Sequence, residues 1–299
     1  MEKQSGSGSG LLEFLEKLDQ QKANRATIEF GMNSYFDRIA RERGIPLKGT
    51  FELTPLCNMN CKMCYIHLSK EQLCKHAKQQ MSGAQWIQII QQAIDHGMMY
   101  ALLTGGEAML HPDFDEIYLY LQSQGIQVSV NTNGLLLDEK RISFFQKHHP
   151  REIHITLYGA DDDAYEAVTG CRVFTKVINA IRQAKAAGLT LVVNITPSRY
   201  LPVKDTLSLI ELVSSLGVKY GINAALSKPR ENTGRAEDSH DMSLDEYIQL
   251  YKHMNLLGFP AELIRQIIGW ESIDMVSVYD DRDVDDLLES FLNNLKVAN

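Results

Sequence analysis

The chain has 299 residues, 44% hydrophobic and 23% charged, with 20 Gly and 8 Pro; this is the composition of a globular protein with a real core, and it excludes disordered chains and small stapled scaffolds. The formal charge is −8, and residues 271–299 hold eight acids against Arg282 and Lys296, so the remainder is nearly neutral and offers no basic stripe for nucleic acid. No apolar run reaches the ~18 residues that span a bilayer, and the first ten residues lack the regions of a signal peptide, so a cytoplasmic protein without membrane association is expected.

Residues 1–10 contain a strict Ser-Gly alternation from Ser5 to Gly10, which has no apolar face and reads as a flexible linker. Residues 11–48 form an N-terminal helical segment. Leu11, Leu12, Phe14, Leu15 and Leu18, then Ile28, Phe30, Met32, Phe36 and Ile39, recur there at helical spacing. From 49 to 240 short β-rich runs alternate with amphipathic ones, the pattern of βα units and a parallel sheet. The predicted strands are 50–54, 100–103, 127–131, 152–157, 190–195 and 220–224. The predicted helices are 82–96, 114–124, 139–148, 174–187 and 203–216, and Gly97, Gly125, Gly188 and Gly217 stand where four of them should stop. Six strands with five intervening helices imply an α/β fold, an open, partial (β/α)6 TIM-like barrel. Residues 241–299 read as a helical C-terminal tail.

Five cysteines, three of them within eight positions, suit metal ligands better than a disulfide framework. Cys57, Cys61 and Cys64 form Cys-x3-Cys-x2-Cys just after the first predicted strand, the end that opens onto the active-site face of such a barrel. Three thiolates on a short loop can hold three corners of a cubic iron–sulfur cluster and leave the fourth iron open. Spacing alone also permits a structural zinc completed by Cys74 or His67.

With Met63 before the third cysteine and Tyr65 after it, this motif resembles that of the radical S-adenosylmethionine (radical SAM) enzymes. Further elements follow in order on successive strands: Thr104-Gly105-Gly106-Glu107, then Leu110-His111-Pro112-Asp113-Phe114, Thr132-Asn133-Gly134, Thr156-Leu157-Tyr158-Gly159, and Asn194. The resemblance covers about 48–235. It departs at Ala108, where many members have proline, and at Thr156, where serine is commoner. It implies a [4Fe-4S] cluster on Cys57, Cys61 and Cys64, with SAM chelating the open iron. Reductive cleavage of SAM would give methionine and a 5′-deoxyadenosyl radical that abstracts hydrogen from a substrate, a peptide being suggested by the members most alike, with electrons from a low-potential donor. Gly105 and Gly106 would let backbone approach the cofactor, and Glu107 would hold the SAM ammonium. Met63 or Tyr65 would pack near the adenine, and Asn133, Thr156 and Asn194 would reach the ribose or carboxylate.

Plainer readings stand beside these roles. Glu107 can be an acid at a helix start, Asn133 a turn residue before Gly134, and Thr156 and Asn194 inward polar groups with backbone partners. Met59, Met63, Met98 and Met99 read as packing, His111, Cys74 and Cys171 as structural, and Arg235 as solvated. Two other outcomes are a cluster-binding remnant without activity and a structural zinc protein.

No cysteine follows Cys171, so the tail offers no thiols for an auxiliary cluster. Residues 262–286 instead resemble the end of tyrosine recombinases, with Gly269-Trp270, Ser272, Met275 and Tyr279. The arginines and His-x-x-Arg segment needed to activate a phosphodiester are absent. Two acidic helices closing the barrel end is the plainer reading, and a spliced or truncated product joined near 255–260 is a further expectation.

Overall fold

The computed structural model describes residues 35–222, apart from 67, 69, 78 and 79. The linker, most of the N-terminal helical segment and the whole tail, including the recombinase-like stretch and the suggested junction, lie outside them.

Six strands follow one another across a single sheet: β1 (Lys48–Thr54), β2 (Tyr100–Gly105), β3 (Gln127–Thr132), β4 (Glu152–Leu157), β5 (Leu191–Ile195) and β6 (Lys219–Ile222). Every neighbouring pair is parallel. Among the described residues β1 and β6 remain the two edges, so the sheet is an open, partial barrel.

The helices are α1 over 35–43, α2 (Lys70–Ala77), α3 (Gly83–Asp95), α4 (Phe114–Ser123), α5 (Glu139–Lys147), α6 (Asp162–Thr169), α7 (Phe174–Ala186) and α8 (Val203–Leu216). All five predicted helices are present. Ser82 begins α3 with a capping box, its side chain accepting from Gln85 N–H while the Gln85 side chain accepts from Ser82 N–H. The four glycines expected at helix ends all have positive φ, and Gly217, at φ 60°, is the left-handed cap of α8.

Two short helices were not predicted. α6 has only eight residues, yet its end signals are in the sequence: Asp161 accepts from Ala164 N–H, and Gly170 closes the helix at φ 73°. α2 carries too few apolar residues to show a periodic face.

In β3, β4 and β5 buried positions alternate with more exposed ones. Val128, Val130, Ile153, Ile155, Val193 and Ile195 are buried beneath the helices, against Ile117, Phe145, Val177, Ile181, Leu209 and Val213. Each such side chain stabilises the fold by about 1.5–3 kcal/mol. The alternate positions, Thr104, Asn131, Thr156 and Asn194, are half-buried and border one hollow on the other face. A parallel sheet is ordinarily apolar on both faces, so this polar row marks the face that meets a ligand rather than a helix.

Candidate active site

β1 runs out at Thr54, and the chain enters the loop that carries the three cysteines. This loop is strapped at both ends. At its root, Gly106 N–H donates to Thr54 O at 2.7 Å and Glu107 N–H to Leu56 O at 2.8 Å. A Cβ on Gly105 would overlap Thr54 O, and one on Gly106 would overlap the carbonyls of Pro55 and Leu56. The two glycines are therefore needed for the approach of the protein's own backbone, whatever else they touch. Further along, Asn60 N–H donates to Thr169 O at 3.0 Å and Lys62 N–H to Val168 O at 2.9 Å, so the end of α6 holds the loop centre.

The loop brings Cys57, Cys61 and Cys64 to a cavity of about 360 Å3, within the ~300–1,000 Å3 of small-molecule sites. Met63 and Tyr65 line it from the loop, and Gly105 and Gly106 from the end of β2. Asn133, Thr156 and Asn194 line it from β3, β4 and β5. Ten of the eleven residues nominated from sequence thus share one hollow. Tyr65 is held there, its hydroxyl donating to Glu52 Oε1 at 2.8 Å.

Glu107 is the residue not among the lining. Its carboxylate is 1% exposed and accepts three hydrogen bonds: Met109 N–H to Oε1 at 3.3 Å, Thr132 Oγ1–H to Oε2 at 2.9 Å, and Asn133 N–H to Oε2 at 2.9 Å. It caps the 3-10 turn Ala108–Leu110, as the plainer reading expected, and ties that turn to the end of β3. Burial raises its carboxyl above the ordinary range, against the three donors that favour the ionised form.

Asn133 is more than a turn residue. Leu135 N–H donates to its Oδ1 at 3.0 Å, which turns the amide nitrogen toward Asn58 Oδ1 at 2.6 Å and Cys57 Sγ at 3.7 Å. Met59 N–H also points at Cys57 Sγ, at 3.5 Å. Tyr158 lines the same hollow as Cys61. Burial pushes the Cys57 thiol up, and that of Cys61 up to about 12. A bound metal reverses this preference, because its charge holds a thiol deprotonated.

Sequence reasoning gave no individual role to Thr104, Asn131, Thr196 or Tyr158, which line the cavity, or to Asn58, which accepts from Asn133. For Thr104 and Asn131 a signal existed: they share the strand parity of Thr156 and Asn194. Asn131 Nδ2–H donates to Thr104 Oγ1 at 3.5 Å.

His111 is structural, as expected. Its Nδ1 accepts from Asp113 N–H and its Nε2 lies 2.9 Å from Met81 O, a pairing that places the proton on Nε2. Cys74 is exposed and Cys171 half-buried, while His67 and Arg235 lie outside the described residues.

The donor set fits an iron–sulfur cluster. Three soft sulfurs border one hollow, and two hydrogen-bond donors already face that of Cys57. Among the described residues no three His, Cys, Asp or Glu side chains gather closely enough for a single metal ion.

The family model of the radical SAM superfamily matches residues 51–213. The chain belongs to the radical SAM superfamily. Membership implies an iron–sulfur cluster and SAM as cofactors. Among curated radical SAM relatives, PqqA peptide cyclase of Streptomyces rochei is 30% identical over 174 residues, 58% of this chain and 46% of that protein. The probable GTP 3′,8-cyclase of Sulfolobus acidocaldarius is 33% identical over 138 residues, 46% of this chain and 42% of that one. The chain thus spans less than half the length of either. Streptococcus suis SuiB bound to the precursor peptide SuiA superimposes with a TM-score of 0.59 at 15% identity, over 83% of this chain and 58% of SuiB. That likeness shows the shared fold. No helix among the described residues is long and apolar enough to cross a membrane.

Proposed function

We propose that this chain holds a [4Fe-4S] cluster on Cys57, Cys61 and Cys64, binds SAM in the adjoining cavity and initiates radical modification of a peptide. The observation that carries this reading is the meeting of three cysteine sulfurs, the Gly105–Gly106 backbone and a row of hydroxyl and amide groups on one hollow of about 360 Å3. When bound, the cluster and SAM supply a one-electron cleavage of the sulfonium that starts hydrogen abstraction.

The chain's own residues bind and orient. Thr156 and Asn194 are paired across β4 and β5 and offer a hydroxyl and an amide to the ribose or carboxylate of SAM. Met63 and Tyr65 flank the adenine. Buried Met59, Met63 and Ile66 give the hollow apolar walls that limit water. Glu107 serves SAM by shaping the Gly105–Gly106 backbone, and its carboxylate, which accepts three donors of the about four it can take, keeps an acceptor site for the ammonium. Electrons come from a separate low-potential donor.

A peptide substrate is supported by the likeness to PqqA peptide cyclase. The test is anaerobic purification, iron and sulfide analysis, and assay for 5′-deoxyadenosine from SAM under a strong reductant. A brown protein that releases 5′-deoxyadenosine, faster with a peptide, is the expected result. Zinc in place of iron refutes the cluster, and iron without 5′-deoxyadenosine reduces the chain to a binding remnant.

A further inference from the structure

One side chain lining the cavity turns a polar hydrogen toward cysteine sulfur: Asn133 reaches Cys57 from the end of β3. The contact is built from several directions. Its backbone N–H is fixed on the buried Glu107 carboxylate, its Oδ1 takes Leu135 N–H, and its Nδ2 is left facing Asn58 Oδ1 and Cys57 Sγ. An amide oxygen cannot replace that nitrogen without placing acceptor against acceptor at Asn58.

Resting on the cluster reading above, we infer that Asn133 is a positioning residue that sets the reduction potential of the cluster through a hydrogen bond to its Cys57 sulfur. Reduction adds negative charge that spreads onto the thiolate sulfurs, and a donor aimed at sulfur stabilises the reduced state more than the oxidised one, raising the potential. Cys57 receives two such donors, Met59 N–H and Asn133 Nδ2–H. The site therefore carries opposing influences. Apolar burial lowers the potential of a cluster and these donors raise it.

The test is potentiometric titration of the reconstituted full chain, followed by electron paramagnetic resonance, for wild type, Asn133→Ala and Asn133→Ser. Each variant is expected to keep its full iron content, to have a midpoint shifted to lower potential and to show altered line shape. Unchanged or higher midpoints at full iron content overturn the inference while leaving the cluster reading intact. If Asn133→Ala loses iron, Asn133→Ser decides alone. Loss of iron from both variants overturns the inference too, because Asn133 would then be structural. A wild-type chain that takes up no iron refutes the cluster reading itself.

Discussion

Asn133 N–H donates to Glu107 Oε2 at 2.9 Å, and through this bond one buried carboxylate joins the end of β3 to the Gly105–Gly106 turn. That turn in turn grips the root of the cysteine loop through Thr54 O and Leu56 O. Glu107 is thus the centre of a scaffold whose outer members face the cavity.

Replacing Glu107 by Ala leaves three donors without their acceptor. At about 1–3 kcal/mol for each buried donor left unpaired, a loss of about 3 kcal/mol or more is expected. Glu107→Gln keeps an oxygen for Thr132 and Asn133 and should lose less. Chemical denaturation of the three proteins measures this. Wild-type stability in Glu107→Ala, with SAM binding alone impaired, refutes the scaffold role and leaves the carboxylate to the ammonium alone.

Gly106→Ala places a methyl group against the carbonyls of Pro55 and Leu56. Relief requires the cysteine loop to move off β2, at a cost of about 1–3 kcal/mol for an overpacked site. Reduced iron uptake on reconstitution should accompany the lower unfolding midpoint. Iron uptake equal to wild type shows that the loop accommodates the methyl group without moving Cys57.

Cysteine variants separate the cluster from a zinc site. Cys61→Ala should abolish iron and sulfide binding, and Cys57→Ala and Cys64→Ala should do the same. Cys74→Ser and Cys171→Ser should retain full iron and sulfide. Loss of metal from Cys74→Ser shows a fourth thiolate ligand and argues for zinc.

A pH effect is expected from the lower part of the sheet. His154 Nε2 lies 3.3 Å from Glu152 Oε2. The His154 hydrogen bond, helped by the charges of Arg151 and Lys219, holds the Glu152 carboxyl below its ordinary value. A carboxylate lowered on folding adds stability above the ordinary carboxylate range and loses it as pH falls through its folded value. With both side chains about a quarter exposed, the contribution should stay under ~1 kcal/mol. Thermal melts from neutral to strongly acidic pH should show a smaller acid loss in His154→Ala than in wild type. Parallel curves for the two proteins rule this pair out as a contributor.

The regular elements and the cysteine motif were legible in the sequence because each is written in neighbouring residues. Short β-rich runs marked the six strands, helical periodicity and terminal glycines marked five helices, and Cys57, Cys61 and Cys64 announced themselves by spacing. Strand parity even put Thr156 and Asn194 on one face. Only the tertiary structure decided what those residues are held by. Glu107 meets Asn133 across 26 positions of sequence, Asn133 turns to Cys57 across 76, and the cysteine loop is strapped by the end of α6, an eight-residue helix too short for its periodicity to stand out. Hydrogen bonds between such distant groups leave no local pattern, because either partner could be satisfied by a nearer group or by water until the sheet closes around it.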